Sequence, residues 1–239
     1  MKRAQLSPKA IVKISLRTPM LYASGLVGLL AIVGFGIFFY LNTGVNQSVI
    51  AAPPATNISG IINSYLRVTS INQASRQFVA DNLYGNINDF QSGETVMIYQ
   101  AKGASISTTN DGTYGNITAY NDAGNYEMAT VSSISGTGPY TITFSSLVNL
   151  YTASGSVQLV SVPTYVDANV SGTLTAIAWD AAQGRGGIVA FEVQNELTLS
   201  ANIDVSSLGF TGGVKGGDLG GCPDANTYVT NNINYGAKG

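Results

Sequence analysis

The chain has 239 residues, with 11 Lys and Arg against 13 Asp and Glu, and it contains no histidine. Without an imidazole, Ser-His-Asp and Cys-His catalysis, His-ligated metals and histidine pH switching are excluded. The single cysteine, Cys222, can form neither an internal disulfide nor a cysteine-rich zinc site.

Charge is segregated along the chain. Lys2, Arg3, Lys9, Lys13 and Arg17 all precede residue 18, whereas the remainder carries 6 basic and 13 acidic side chains. An acidic body without a basic stripe argues against nucleic acid as a partner.

Residues 20–41, MLYASGLVGLLAIVGFGIFFYL, are uncharged and long enough to cross a bilayer as a hydrophobic helix. The five cations before them set the N-terminus on the cytoplasmic side. Residues 1–51 therefore read as a signal peptide or a transmembrane anchor. Val49-Ile50-Ala51 offers a small-residue cleavage site before Ala52. Either way the body is exported, with the export machinery as a partner, and with the membrane as a second one through residues 20–41 where the segment is kept. Pro53 and Pro54, among small polar residues, favour an extended chain, so residues 52–58 read as a linker.

Residues 59–165 show short β-rich runs separated by turn signals, the pattern of a small antiparallel β barrel or sandwich. The clearest runs are Thr95–Gln100, Tyr126–Ile134, Tyr140–Phe144 and Ser156–Val162. Between them lie Asn110-Asp111-Gly112, Asn121-Asp122-Ala123-Gly124-Asn125 and Gly136-Thr137-Gly138-Pro139, whose residues form turns by tolerating positive φ or bonding their own backbone. In Tyr140–Phe144, Tyr140, Ile142 and Phe144 share one face while Thr141 and Thr143 share the other. Ser70–Tyr84 admits a short helix that Val79 and Asn82 weaken.

Residues 166–211 read as β-solenoid-like strands. Leu174-Thr175 and Leu197-Thr198 recur 23 residues apart, a period that suits one coil of a solenoid. Along 187–199, Val189, Phe191, Val193, Leu197 and Leu199 alternate with polar residues, with Asn195 interrupting the apolar face. Residues 212–239 form a Gly-rich tail with glycine pairs at 212–213, 216–217 and 220–221, and the chain reads as a fragment of something longer.

The carboxylates are the remaining acid–base groups. Glu192 and Glu196, four apart on one strand face, hold their Cα atoms about 13 Å apart, which suits a solvated face better than a glycosidase pair. Asp111, Asp122, Asp204 and Asp218 lie in or near Gly-rich turns and outside any DxDxDG-type calcium loop, so turn formation is their expected role. Trp179 and Asp180, followed by Gln183-Gly184-Arg185-Gly186-Gly187, are the candidate glycan contact, an aromatic platform for a sugar ring that competes with ordinary core packing of a lone tryptophan. No catalytic, cofactor-binding or metal-binding residue is assigned, and no cofactor is expected.

The runs GETVMIYQAKGASI, YGNITAYNDAGNYEMATVSSISG, GSVQLVSVPTY and GGIVAFEVQNELTLSANIDVSSLGFTGG together make residues 60–239 resemble the N-terminal region of large secreted surface proteins of Bacteroidota. That group includes adhesins associated with gliding and with type IX secretion. The resemblance implies a cell-surface, non-enzymatic, adhesive role in a longer protein, and it transfers no site residue. The expected partners are cell-surface or extracellular polymers and copies of the chain itself. A self-assembling filament or sheath subunit and a carbohydrate-binding or carbohydrate-active protein are the alternatives.

Overall fold

The computed structural model describes residues 54–211 apart from Asn110, together with the backbone of Ile11–Ile14. The apolar segment 20–41, the cleavage motif at 49–51 and the tail 212–239 lie outside the described residues. Where described, the chain is all-β.

Twelve strands follow in order: β1 (Ile11–Ile14), β2 (Thr56–Ile61), β3 (Tyr65–Asn72), β4 (Gln77–Tyr84), β5 (Thr95–Gln100), β6 (Ser105–Ile106), β7 (Ile117–Ala119), β8 (Tyr126–Ser135), β9 (Tyr140–Phe144), β10 (Val157–Ser161), β11 (Thr164–Thr175) and β12 (Ala190–Leu199). Six of them close an antiparallel barrel in the order β10-β3-β4-β9-β8-β5, with β5 pairing back onto β10. Barrel, not sandwich, is therefore the form of the small antiparallel unit. Full closure leaves these six strands without an unpaired edge.

Alternation explains why these segments are strands. Leu66 and Val68, Phe78 and Ala80, Val96 and Ile98, Ala129 and Val131, and Ile142 and Phe144 are spaced by two and all are buried in one core. Phe78 sits at its centre, edge-on to Phe144 at 5.2 Å and to Tyr151 at 6.0 Å between ring centroids. Tyr140 packs against the same core from the mouth of β9.

Two expectations are corrected. Ser70–Tyr84 is not helical but the β3–β4 hairpin. Its turn has no Gly or Pro: Asn72 Oδ1 accepts from the Ser75 amide at 3.1 Å, and Arg76 takes φ 54°. Period-two burial of Phe78 and Ala80 outweighs the weak helical propensity of the stretch. Thr56–Ile58, read as the end of the linker, opens strand β2, with Ile58 buried.

The second sheet is wholly parallel, in the order β1-β12-β11-β2. Its core is Ile58, Ala168, Val170, Leu174, Val189, Phe191 and Val193. The 23-residue Leu-Thr spacing does not set its register. Ala168 stands opposite Leu197, and Leu174 bridges to Ile203, so equivalent positions lie about 28 residues apart. Inward apolar side chains at Ala168, Val170 and Leu174 decide that register, because a one-residue slip would turn them outward. Leu199, expected on the apolar face, is exposed at the strand end.

The barrel is an insertion between two neighbouring strands of this sheet. The chain leaves after β2, builds the barrel, and returns as β11 directly beside β2.

Phe78→Ala is expected to destabilise the protein by about 3–5 kcal/mol through lost transfer energy plus a cavity. Ser133→Ala, on the exposed face of β8, is expected to stay within about 0.5 kcal/mol of the parent. Urea denaturation of both variants checks the barrel's inward register.

Candidate functional site

The register places two long excursions at one end of the barrel. Tyr99 pairs with Tyr126 and Val157 pairs with Gln100, so the β5–β8 excursion (101–125, with the hairpin β6–β7) and the β9–β10 excursion (145–156) emerge together. Buried Gln100 ties them. Its Nε2 donates to Lys102 O at 2.8 Å and Asn121 O at 3.2 Å, and its Oε1 accepts from the Thr152 amide at 2.8 Å.

Glu127 adds a second tie. Its two carboxylate oxygens accept from the Val148 and Asn149 amides at 2.8 and 3.0 Å. Asn149 Nδ2 donates to Tyr126 O at 3.0 Å, and Asn125 Nδ2 donates to Leu150 O at 3.1 Å. Loop backbone held by charged and amide side chains is fixed in place rather than loosely draped.

What this scaffold displays is apolar. Val148 is 87% exposed, Leu150 63% and Tyr126 52%, and Tyr120 on the adjacent turn is 68% exposed. The Tyr120 turn is itself locked, since Asn121 Nδ2 donates to Gly103 O and to Ser105 Oγ at 3.0 and 2.8 Å. Tyrosines beside aliphatic side chains on a rigid rim offer large contact area at low entropic cost. Sequence reasoning missed this patch. Its signal was Leu147-Val148-Asn149-Leu150-Tyr151, an apolar run flanked by turn residues with no alternation to put it in a strand.

The predicted glycan contact lies elsewhere. Trp179 is only 8% exposed, and its ring packs edge-on to Phe210 with centroids 5.1 Å apart. Its Nε1 is buried with no acceptor among the described residues. Asp180 is exposed, and its Oδ1 accepts from the Ala182 and Gln183 amides at 2.9 and 3.0 Å, the geometry of an Asx turn. The structure thus places Trp179 in packing and Asp180 in turn formation. Gly186 and Gly187 are required by close approach, at φ 117° and 75°, with a Cβ running into Ala178 O and Leu208 O respectively.

The predicted carboxylates stay dispersed. Glu192 and Glu196 stand in register with Thr164 and Asp167. Asp111 Oδ1 accepts from both the amide and hydroxyl of Thr113, and Asp204 Oδ1 from the Ser206 amide. These hydrogen bonds hold both carboxyls below the usual range. Among the described residues no three His, Cys, Asp or Glu side chains come together as a metal site.

A polar seam joins barrel to sheet. Asn63 Nδ2 donates to Ser161 O at 2.7 Å and Ala190 O at 2.5 Å, and its Oδ1 accepts from the Ala190 amide at 3.3 Å. Ser64 Oγ donates to Asp89 Oδ2 at 2.5 Å and accepts from the Asn86 amide at 2.8 Å. Tyr65 Oη donates to Ile188 O at 2.7 Å, and Gln158 exchanges two hydrogen bonds with Gly186. With its hydroxyl engaged on both sides and no imidazole nearby, Ser64 is built as a brace.

The chain matches no protein-family model, no curated protein and no solved structure.

Asn63→Ala removes two donated hydrogen bonds and one accepted one from the seam, those to Ser161 O, Ala190 O and the Ala190 amide. A loss of about 2–4 kcal/mol is expected, together with faster hydrogen exchange at the Ala190 amide. Burial also raises the phenol pKa of Tyr65 and Tyr151. An unfolded tyrosine titrates near 10, so their contribution is intact below about pH 10 and lost as pH rises beyond it. A stability profile by denaturant titration should therefore fall on the alkaline side, and Tyr151→Phe should flatten that fall.

Proposed function

We propose that this chain is the exported, non-enzymatic N-terminal part of a larger cell-surface adhesin, and that the Tyr120–Tyr126–Val148–Leu150 rim is its contact surface. The observation that carries the reading is an apolar patch held rigid by Gln100 and Glu127 yet left in solvent. A fold gains nothing internally from such exposure, and contiguous exposed apolar surface marks interaction sites. Extracellular or cell-surface polymers are the partners that suit a tyrosine-rich surface of this kind.

The N-terminal order of cations, then an uncharged stretch, then an acidic body supports export to the cell surface. The parallel sheet supports the start of a β-solenoid. β11 and β12 follow at 28–29 residues, β2 stands about 112 residues before β11 because the barrel is inserted between them, and polar side chains stack across all three: Asn169 Nδ2 donates to Asn57 Oδ1 at 3.0 Å and Ser200 Oγ to Asn169 Oδ1 at 2.8 Å. Such a stack is the geometry that each further coil would extend.

A filament subunit is the second reading, favoured by a parallel sheet whose strands all run one way. Copies would then add head to tail without closing. Sedimentation at rising concentration separates the two: mass grows for a subunit and stays constant for an adhesive module.

The test of the first reading is adhesion of particles coated with the protein to cells of its own source. The pair Tyr126→Ser and Leu150→Ser is expected to lower retention about tenfold, the change that follows from losing about 1.4 kcal/mol over the two contacts together, while leaving the melting temperature within a few degrees. Unchanged retention would sink the rim as the contact surface.

A further inference from the structure

The two edges of the parallel sheet are built differently. β2 starts two residues after Pro54, carries Gly60 at φ 68°, and sits opposite a register irregularity between Val170 and Leu174. Proline and bulges are the devices that blunt a strand edge. β12 has neither proline nor glycine across its ten residues. Proline and a positive-φ glycine mark β2 alone, whereas a register irregularity also interrupts the pairing of β12 with β11, between Tyr165 and Asp167; of the two edges, β12 carries the fewer blunting devices.

The β12 edge is also set in a groove. Thr95, Met128 and Thr130 of the barrel, with Val162, Phe191 and Glu192, line a depression of about 170 Å³ beside it. Met128, Val162 and Phe191 supply its apolar lining, and Glu192 is its one acidic residue.

Residues from the far end of the chain pair there. Ile11–Ile14 runs parallel to β12, with Ile11 opposite Ala190, Val12 opposite Phe191, Lys13 opposite Glu192 and Ile14 opposite Val193. The segment is three-quarters β-branched, which suits a strand, and its one cation stands in register with the one acidic residue of the paired stretch.

We propose that the outer edge of β12 is an acceptor site for an extended, parallel, β-branched strand carrying a cation, and that Ile11–Ile14 is its resident strand before export. Among the described residues, four of the ten residues of β12 are paired this way, a contact short enough to exchange. Residues 11–14 precede the apolar stretch 20–41, and the body follows it. Once that stretch spans a membrane, strand and acceptor lie on opposite sides. Pairing and spanning exclude each other: the site is filled before export and emptied by it. Until then, an edge that would template pairing with other copies stays covered. The exclusion rests on the export reading proposed above, whereas the acceptor site does not.

The test uses the full chain in mild detergent with Cys222→Ser as background. Lys13→Cys combined with Glu192→Cys is expected to form an intrachain disulfide on mild oxidation. Lys13→Cys with Glu196→Cys, displaced by about 13 Å along the strand, is expected to stay reduced. Val12→Pro with Ile14→Pro removes two amide donors. It should abolish the crosslink and raise affinity for a labelled peptide of residues 9–17 about tenfold, read by fluorescence anisotropy. An interchain disulfide would overturn the intrachain assignment in favour of a second copy, and equal crosslinking of both pairs, or none, would overturn the acceptor site. A crosslink that persists in membrane-inserted chain with its body outside would leave the site standing and overturn the exclusion.

Discussion

The architecture depends on one side chain at a crossing. The chain leaves the parallel sheet after Ile61, runs through a six-stranded barrel and returns at Thr164 beside the strand it left. Asn63 stands at the exit, Ser161 at the return and Ala190 on the next strand, and the Asn63 amide bonds to both of the latter. A buried amide satisfied by three backbone groups is expensive to unmake, so exit, return and neighbouring strand are fixed together. Closing so long an insertion costs little more than closing a short one. The barrel's first and last strands, β3 and β10, pair with each other, so closing the barrel itself brings the insertion's ends together.

Much of the barrel was legible in the sequence because its physics is local. Tyr140–Phe144 alternates, Thr95–Gln100 is a β-rich apolar run bounded by turn signals, and Asn121, Asp122 and Gly124 adopt positive φ as their chemistry allows. What local patterns could not carry was the hairpin turn at Asn72–Arg76, whose Asx bond needs no glycine, and strand β2, which hides in a run of small polar residues. β2 is a strand because β11 lies beside it, and that neighbour is about a hundred residues away in sequence. Tertiary pairing overrides propensity most easily in such short edge segments. The repeated Leu-Thr pair misled for the same reason: register answers to which side chains are buried, not to which dipeptides recur.

The candidate site was harder to read than the fold. Trp179 drew notice as the rarest aromatic, yet large aromatics are what cores and rims consume first, and it packs on Phe210. The exposed rim is made of ordinary residues whose meaning is positional. Val148 and Leu150 would pass for core residues until Glu127, near the start of β8, is seen gripping the Val148 amide at the end of the barrel. Polar side chains that anchor an apolar loop in solvent are a tertiary signature, visible only when both loops are placed at the same end.

The two sheets differ in what they are able to do with a partner. A closed barrel has no edge, so it can recognise others only through its loops and rim, where side chains rather than backbone set the contact. The parallel sheet, with proline and a positive-φ glycine at β2 and neither within β12, meets a further strand at its β12 edge through backbone pairing, as Ile11–Ile14 does. Joining the two through a buried polar seam keeps these modes apart: Asn63, Tyr65 and Gln158 hold the rim's scaffold rigid against the sheet without covering the β12 edge. A change of rim side chains therefore leaves the backbone ladder of the sheet unaltered, because rim and ladder lie on opposite sides of the seam's hydrogen bonds.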